Sequence, residues 1–473
     1  MRQIVVRQIG EGHPFRLGMM SRSSTMSMAF LPRSERQPKL STLSGHYCKL
    51  STMGRRQHEN PFTLASCSVG DMAEGPQTAW SGANLMVSTE ALAAAALRQA
   101  PALQDVTVHL VRPGEPVRIT NVLDAVIPDV KAAHPQSTFP GVLGGLTPAG
   151  HGETTRLDGV AVLPVCDWTA AGLTSPGEFP SAFVDMAGPG QAMTAWGDRA
   201  AVVVCCTPRP GAAVGDADRS VRMASLQVAR LLAESASGRV PDAVESFELA
   251  GQADEALPSV AVILQVASEG TLTDTFLYGG ALIGMVPTLV DHREILDGAL
   301  TSGAYDWPAV RNLTAFYQDN ALIRALTAAH GSTLRFAGVI LALGYLDTAA
   351  EKQRSAMLAA RLAAQAGADG VICTTFSSGN SHTDTMLTVR ACAERGLGTV
   401  AIVAETDSGL TDHVPEADSI ISTGNTDELV RAWSPGKVIG GSGSAMAGEP
   451  VPLYCYLGAC VQTGDMALTA VPG

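Results

Sequence analysis

The stretch that most restricts the fold runs from 335 to 425. "RFAGVILALG", "ADGVICTTF", "GTVAIVAE" and "ADSIISTG" are short segments, apolar almost throughout. Between the first three lie "TAAEKQRSAMLAARLAAQAG" and "HTDTMLTVRACAERG", whose apolar residues recur at the helical period. A strand apolar on every residue, not on alternate ones, is covered on both faces. Such strands separated by helices predict a parallel, doubly wound sheet, because parallel neighbours need a crossover long enough to hold a helix. Gly367 is placed to stop the first helix. Ligands of such sheets sit at the carboxyl ends of the strands, which here means "TTFSSGNSHTD" (374–384) and "AETDSG" (404–409).

Upstream the rhythm differs. "STEALAAAALRQ" reads as a helix capped by Ser88 or Thr89. Over roughly 105–206, short alternating segments such as "VTVHLV", "RLDGVAVLPV" and "RAAVVVCC" are split by Gly and Pro, which predicts an antiparallel sheet or barrel. "DRSVRMASLQVARLLAES" (218–235) has helical spacing, and "LPSVAVILQVASEG" reads as a buried strand. The expected fold class is therefore α/β: a β-rich N-terminal domain followed by doubly wound parallel-sheet α/β units. The expected boundaries are an extension at 1–75, a β-rich domain at 76–212, an α/β unit with a site loop at 213–310, and a doubly wound domain at 311–473.

Charge separates the extension from the body. Residues 1–71 carry ten Lys/Arg against four Asp/Glu, while the rest carries 22 against 41. With "GMMSRSSTMSM" and no sustained periodicity, the extension is expected to be disordered, or an upstream-start artefact with Met72 the true start. A net charge of −13 supplies no broad basic face, so no nucleic-acid partner is expected. The longest apolar runs are too short to span a bilayer, so no membrane association is expected either. The short apolar stretch of "MRQIVVRQIGEGHPF" is interrupted by charge, unlike a signal peptide. Nine scattered cysteines form no CxxC pair and no metal-ligand spacing with His, so no metal site is assigned. They suit reduced thiols in a cytoplasmic protein.

The familiar catalytic signatures are absent. There is no GxxxxGK[ST], GxSxG or HExxH, and "GGSGSAMAG" (440–448) does not complete GxGxxG. This argues against a nucleotide enzyme or an ordinary serine hydrolase. What remains are polar clusters in loops. In "SSGNSHTD", Asn380, His382 and Asp384 stand at a helix start, where free N–H groups can hold a carboxylate. Capping by Ser381 or Asn380 is the competing account. "TDTFLYGG" joins Asp274, Thr275 and Tyr278 after a buried strand, either as reactive groups or as a satisfied turn. Lone histidines such as His134, His151 and His292 read as structural, and Cys373 as a buried strand thiol unless it lies at the strand's mouth. "DGALTSGAYDWP" (297–308) turns from small residues to bulky Tyr305 and Trp307.

Several of these stretches resemble one family, the pyruvoyl-bearing subunit of component B of the glycine, sarcosine and betaine reductases. They are "VRPGEPVRITNVLDAVIPDVK", "STFPGVLGGLTPAGHGETTRLDGVAVL", "FVDMAGPG", "TDTFLYG", "VPTLVDHREILDGALTSG" and "ADGVICTTFSSGNSHTD", in that order along the chain. The resemblance implies a proprotein cut just before a cysteine that becomes a pyruvoyl group. It also implies a partner subunit whose selenocysteine or cysteine attacks the substrate's α-carbon and displaces the amine.

This chain departs from the family at the decisive position. "DGALTSGA" is followed by Tyr305, and no cysteine occurs between Cys206 and Cys373. Tyrosine cannot make the ester or thioester that cleavage needs. Ser302 is the only local candidate precursor, but it matches a residue already present before the family's cysteine. The expectation is an uncleaved, pyruvoyl-free homologue with no cofactor of its own. It would act on a small amino-acid-derived molecule in a hetero-oligomer with a Cys- or selenocysteine-bearing subunit. Tyr305, Asp274 and Tyr278 are the catalytic candidates. Asn380, His382, Asp384, Ser302 and Asp297 are the substrate-binding candidates. Alternatives are an inactive scaffold or regulatory subunit, or a complex redirected to C–S or C–N chemistry.

Overall fold

The computed structural model describes residues 61–168, 172, 182–249, 253–267, 275–303, 308–376, 379–406, 417–441 and 448–461, and the backbone of 5–7 and 14–16. Those two short pieces are strands, β1 (Val5–Arg7) and β2 (Pro14–Arg16). The body begins with β3 (Thr63–Ser68), which pairs on both sides in a four-stranded sheet. Phe62 and Leu64 are buried in one core and Cys67 and Met72 in another. Residues 62–72, inside the extension expected at 1–75, thus contribute to the packed cores. A chain starting at Met72, itself 1% exposed, would lack an interior strand of that sheet.

After β3 comes helix α1 (Thr89–Gln99), capped by Ser88, whose side chain accepts from the Ala91 N–H. Then follow β4 (Leu103–Val111), β5 (Val117–Ile119), β6 (Asp129–Lys131), β7 (Glu153–Asp158), β8 (Val160–Cys166) and β9 (Ala200–Pro208). Here the antiparallel expectation fails. β8 runs parallel to β9, and β7 parallel to β3, while β4 is antiparallel to β9. Period-two patterning reports which face is buried, not strand direction. The connection over 167–199 is long enough to return the chain for a parallel pairing. One face of the β8-β9-β4 sheet is covered by α1 and by α2 (Val214–Glu234), which starts four residues before the sequence suggests.

The large sheet is built from β11 (Ser259–Ala267), β13 (Thr288–Val290), β15 (Arg335–Gly344), β16 (Gly370–Thr374), β17 (Gly398–Glu405) and β18 (Ser419–Asn425). β10 (Ala243–Ser246) belongs to the four-stranded sheet with β3. A separate small sheet includes β12 (Thr275–Leu277) and β14 (Leu300–Ser302). The large sheet's order is β13-β15-β11-β16-β17-β18-β1-β2, and its five central strands are parallel. Taken in chain order, those five lie 2-1-3-4-5.

Alternate residues of the central strands face opposite layers. Val262, Leu264 and Leu341 pack with α3 (Ala321–Ala329). Ala261, Ile263 and Ile340 pack with α4 (Ala349–Gln365) and α5 (Asn380–Ala393). Burying each such aliphatic side chain contributes about 1.5–3 kcal/mol, which is why these strands are apolar on every residue. α4 starts with a reciprocal capping box between Thr348 and Glu351, and Gly367 follows its end at φ +75°, a conformation strained for other residues.

Candidate functional site

The order 2-1-3-4-5 reverses between β11 and β16, and ligands of such sheets bind outside the carboxyl ends of the strands at that point. Gln265 on β11 organises this place. Its N–H donates to Thr374 Oγ1 (3.1 Å), and its side-chain amide donates to the Ser381 carbonyl (3.0 Å) and accepts from the Phe376 N–H (2.6 Å). Asn312 donates to the Gln265 carbonyl (3.2 Å). The neighbouring Arg311 donates to the carbonyls of Val122 (3.3 Å) and Leu123 (3.2 Å). Arg311–Asn312 thereby joins the switch point of the parallel sheet to residues 120–125 of the β-rich region.

Residues 120–125 are a hub. Asn121 has φ +54°, uncommon for a residue with a side chain, and its amide donates to the Gly440 carbonyl. The Val122 N–H meets Ala182 and the Leu123 N–H meets Pro164. Asp124 is buried and accepts from the Thr314 N–H (2.9 Å), the Thr314 hydroxyl (2.6 Å) and the Ala125 N–H (2.8 Å). The same Thr314 oxygen accepts from the Ser302 N–H (2.9 Å). Asp124 thus holds, through one hydroxyl, the end of β14, which pairs with β12 in the register Thr275↔Ser302.

Charge accumulates beside this strand pair. Arg222 of α2 lays its guanidinium over the Phe276 ring, 3.4 Å from the centroid. Its contact with Asp218 is long (3.5 Å), and its Nε has no hydrogen-bond partner. Burial pulls the Arg222 guanidinium below its usual range, with the charges of Asp218 and Asp124 opposing. Burial pushes Asp124 up to about 7, partly offset by its bonds from Thr314, and pushes Asp218 to about 7 against the charge of Arg222. Perturbed carboxylates gathered where two structural units meet are a mark of functional sites.

The sequence-derived candidates distribute unevenly. Tyr305 and Asp274 lie outside the described residues. Ser302 is 2% exposed, inside a strand pair. Tyr278 has φ +51°, its hydroxyl accepts from the Ala149 N–H (3.1 Å), and burial pushes its phenol up to about 12. Gly141 lies against it so closely that a Cβ there would sit 2.0 Å from the Tyr278 carbonyl oxygen.

Asp297 is engaged by Lys131 (2.6 Å), the Gly150 N–H (2.7 Å) and the Thr154 hydroxyl (2.6 Å), partners that account for its burial as a joint. Asp384 pairs with Lys352 (2.8 Å) and accepts from the Leu346 N–H (3.3 Å). Burial raises its carboxyl against those bonds. Asn380 is exposed and donates to the Leu346 carbonyl (3.3 Å), and His382 is buried on the first turn of α5. Neither Ser381 nor Asn380 caps that helix: it begins after Gly379, at φ +64°, with no side-chain cap. Cys373 lies in the core, where hydrogen bonding with Cys392 and burial push its thiol up.

Asp124, Arg222, Arg311 and Gln265 went unselected in the sequence. Two of them carried a signal: Asp124 in "VLDAVIP" and Gln265 in "ILQVA" are polar residues set in apolar runs, and buried polar groups require partners. Among the described residues no group of His, Cys, Asp and Glu could hold a metal, and no helix is long and apolar enough to cross a membrane.

Comparison with known proteins gives a consistent answer. The family model of glycine/sarcosine/betaine reductase component B subunits matches residues 61–449. The glycine reductase complex component B subunits alpha and beta of Acetoanaerobium sticklandii are 30% identical over 349 residues, covering 72% of this chain and 79% of theirs. The sarcosine reductase complex component B subunit alpha of Peptoclostridium acidaminophilum is 30% identical over 388 residues, covering 80% and 88%. The betaine reductase complex component B subunit alpha of the same organism is 30% identical over 351 residues, covering 68% and 75%. No solved structure matches. The described body, from β3 to the strands that close around Asn121 and Gly440, coincides with the matched region, and the chain belongs to the family of glycine/sarcosine/betaine reductase component B subunits.

Proposed function

We propose that this chain is a subunit of a two-component, reductase-like complex that binds a small amino-acid-derived substrate and receives its nucleophile from a partner subunit. The observation that carries this reading is the state of the chain's thiols. Of the eight described cysteines, seven are buried and Cys205 is partly so. Burial pushes up the thiols of Cys67, Cys166, Cys205, Cys206, Cys455 and Cys460. The thiolate is the reactive form, so these are poor nucleophiles at neutral pH. A partner's thiolate or selenolate would attack the substrate's α-carbon. The new carbon–chalcogen bond forms as the carbon–nitrogen bond breaks, and the amine leaves with that bond's electron pair.

A pyruvoyl group does not fit the residues present. No cysteine lies between Cys206 and Cys373. Ser302 is held in a strand pair, with its N–H on Thr314. No step of the proposed reaction therefore passes through a pyruvoyl. Intact-mass measurement should find one chain of 49.0 kDa. Two fragments meeting near Thr301–Ser302 would overturn the pyruvoyl-free reading. Robust turnover by the purified chain alone would sink the two-component reading.

The resemblance places Tyr305 where the family has its cleavage cysteine, and this favours a second reading, a scaffold whose own site is inactive. Tyr305→Phe and Asp274→Asn in the reconstituted complex separate the two. Rates unchanged with assembly intact would favour the scaffold.

A further inference from the structure

We propose that Arg222 and Thr301 form a seat for a carboxylate group, taking the acid end of a small amino acid, N-methylated or not. This rests on the reading that the chain binds such a substrate, and adds where it is gripped. Arg222 is 7% exposed, yet it is poorly satisfied: Asp218 is 3.5 Å away and Nε has no partner. A buried donor left unpaired costs free energy that a ligand able to accept from it recovers. The guanidinium edge offers two parallel N–H groups, the geometry a carboxylate matches bidentately. Its flat face is already occupied by Phe276.

The second observation is independent. Thr301 is 1% exposed and its hydroxyl has no hydrogen-bond partner. Thr301 and Phe276 are directly paired across β12 and β14, so their side chains share one face of that strand pair. The two unsatisfied groups therefore both neighbour Phe276. The charged groups around Arg222 are Asp218 and Arg219 on α2 and Asp124 from the hub, with Arg311 beside Asp124. Both carboxyls are pushed up to about 7 by burial, so around neutral pH neither is fully ionised and the guanidinium is not neutralised twice.

Calorimetric titration of the full chain tests this. The probes are glycine, sarcosine and betaine, together with glycinamide and choline, which lack the carboxylate, and acetate, which lacks the amine. We expect the carboxylate-bearing compounds to bind about tenfold or more tightly than the amide or alcohol. Arg222→Met should weaken them by about tenfold or more, and Arg222→Lys by less, because a lysine lacks the fork. Thr301→Val should weaken them about threefold to tenfold, the loss of one hydrogen bond, and serves as the deciding variant if Arg222→Met does not fold. Amino acids binding equally to wild type, Arg222→Met and Thr301→Val would overturn the seat while leaving the functional reading in place. Acetate binding through Arg222 without any amino acid doing so would keep the seat and overturn the substrate class. Failure of every carboxylate to bind at millimolar concentration would overturn the seat outright.

Discussion

Three of the four buried arginines among the described residues are held in two different ways. Arg118 grips Asp185 through Nε (2.7 Å) and Nη2 (2.9 Å), and Tyr456 adds a hydroxyl to the same carboxylate (2.9 Å). Arg156 grips Asp129 at 2.8 and 2.7 Å, and Gln318 donates to that carboxylate as well (2.7 Å). Arg222 has only its 3.5 Å approach to Asp218 and the face of Phe276. Burial alone would lower all three. In the first two the bonded aspartate outweighs it and raises the guanidinium, whereas Arg222 stays lowered. A buried charge with every proton placed is a joint, and one with a proton to spare is a place where something else can bind.

That contrast can be broken most directly at the joint. Arg156→Met leaves Asp129 buried without its counter-charge and should cost about 3–5 kcal/mol in urea unfolding. Arg222→Met should cost less than half of that, about 1–2 kcal/mol, since Asp218 can take up a proton. Equal losses would erase the distinction. Next is Thr314→Val, which strips a hydroxyl from between Ser302 and Asp124 and should cost about 1–3 kcal/mol, with Thr314→Ser restoring most of it.

A comparable effect is expected from pH. The fold raises the Asp124 carboxyl to about 7, so it favours the protonated form. The resulting stabilisation is fully present below the unfolded value of about 4 and is lost as pH climbs towards about 7. Asp124→Asn removes that slope, so its stability relative to wild type should improve by about 2–3 kcal/mol between about pH 5 and pH 8. A pH-independent difference would show that Asp124 does not titrate as its burial dictates. Least of all, Tyr278→Phe frees the Ala149 N–H and should cost about 0.5–1.5 kcal/mol by thermal or urea unfolding.

The sequence was most legible where one physical signal repeats. From 335 to 425, each apolar run became a strand of the large sheet and each amphipathic run a helix, because burial on both faces leaves no other composition. The β-rich half was legible as strands but not in their directions, as β8 against β9 demonstrates. Less of the candidate site could be read. Asp297 and Asp384 stood out as polar residues in loops, yet Lys131 and Lys352, far away in sequence, turn them into joints. Asp124 did not stand out, and its meaning depends on Thr314, 190 residues later. Loop polarity is a local property, whereas the satisfaction of a buried charge is decided by contacts between distant segments.

The depth of the thiols bears on more than the choice of nucleophile. A complex that passes an activated carbon from one chain to another risks losing it to any bystander sulfur along the way. In this chain Cys373 and Cys392 share one core, while Cys166 and Cys206 face each other across paired strands. Buried out of reach, such sulfurs would give an alkylating intermediate little to strike. Under the proposed two-component reading, the described part of the subunit would thereby be insulated against being consumed by the reaction.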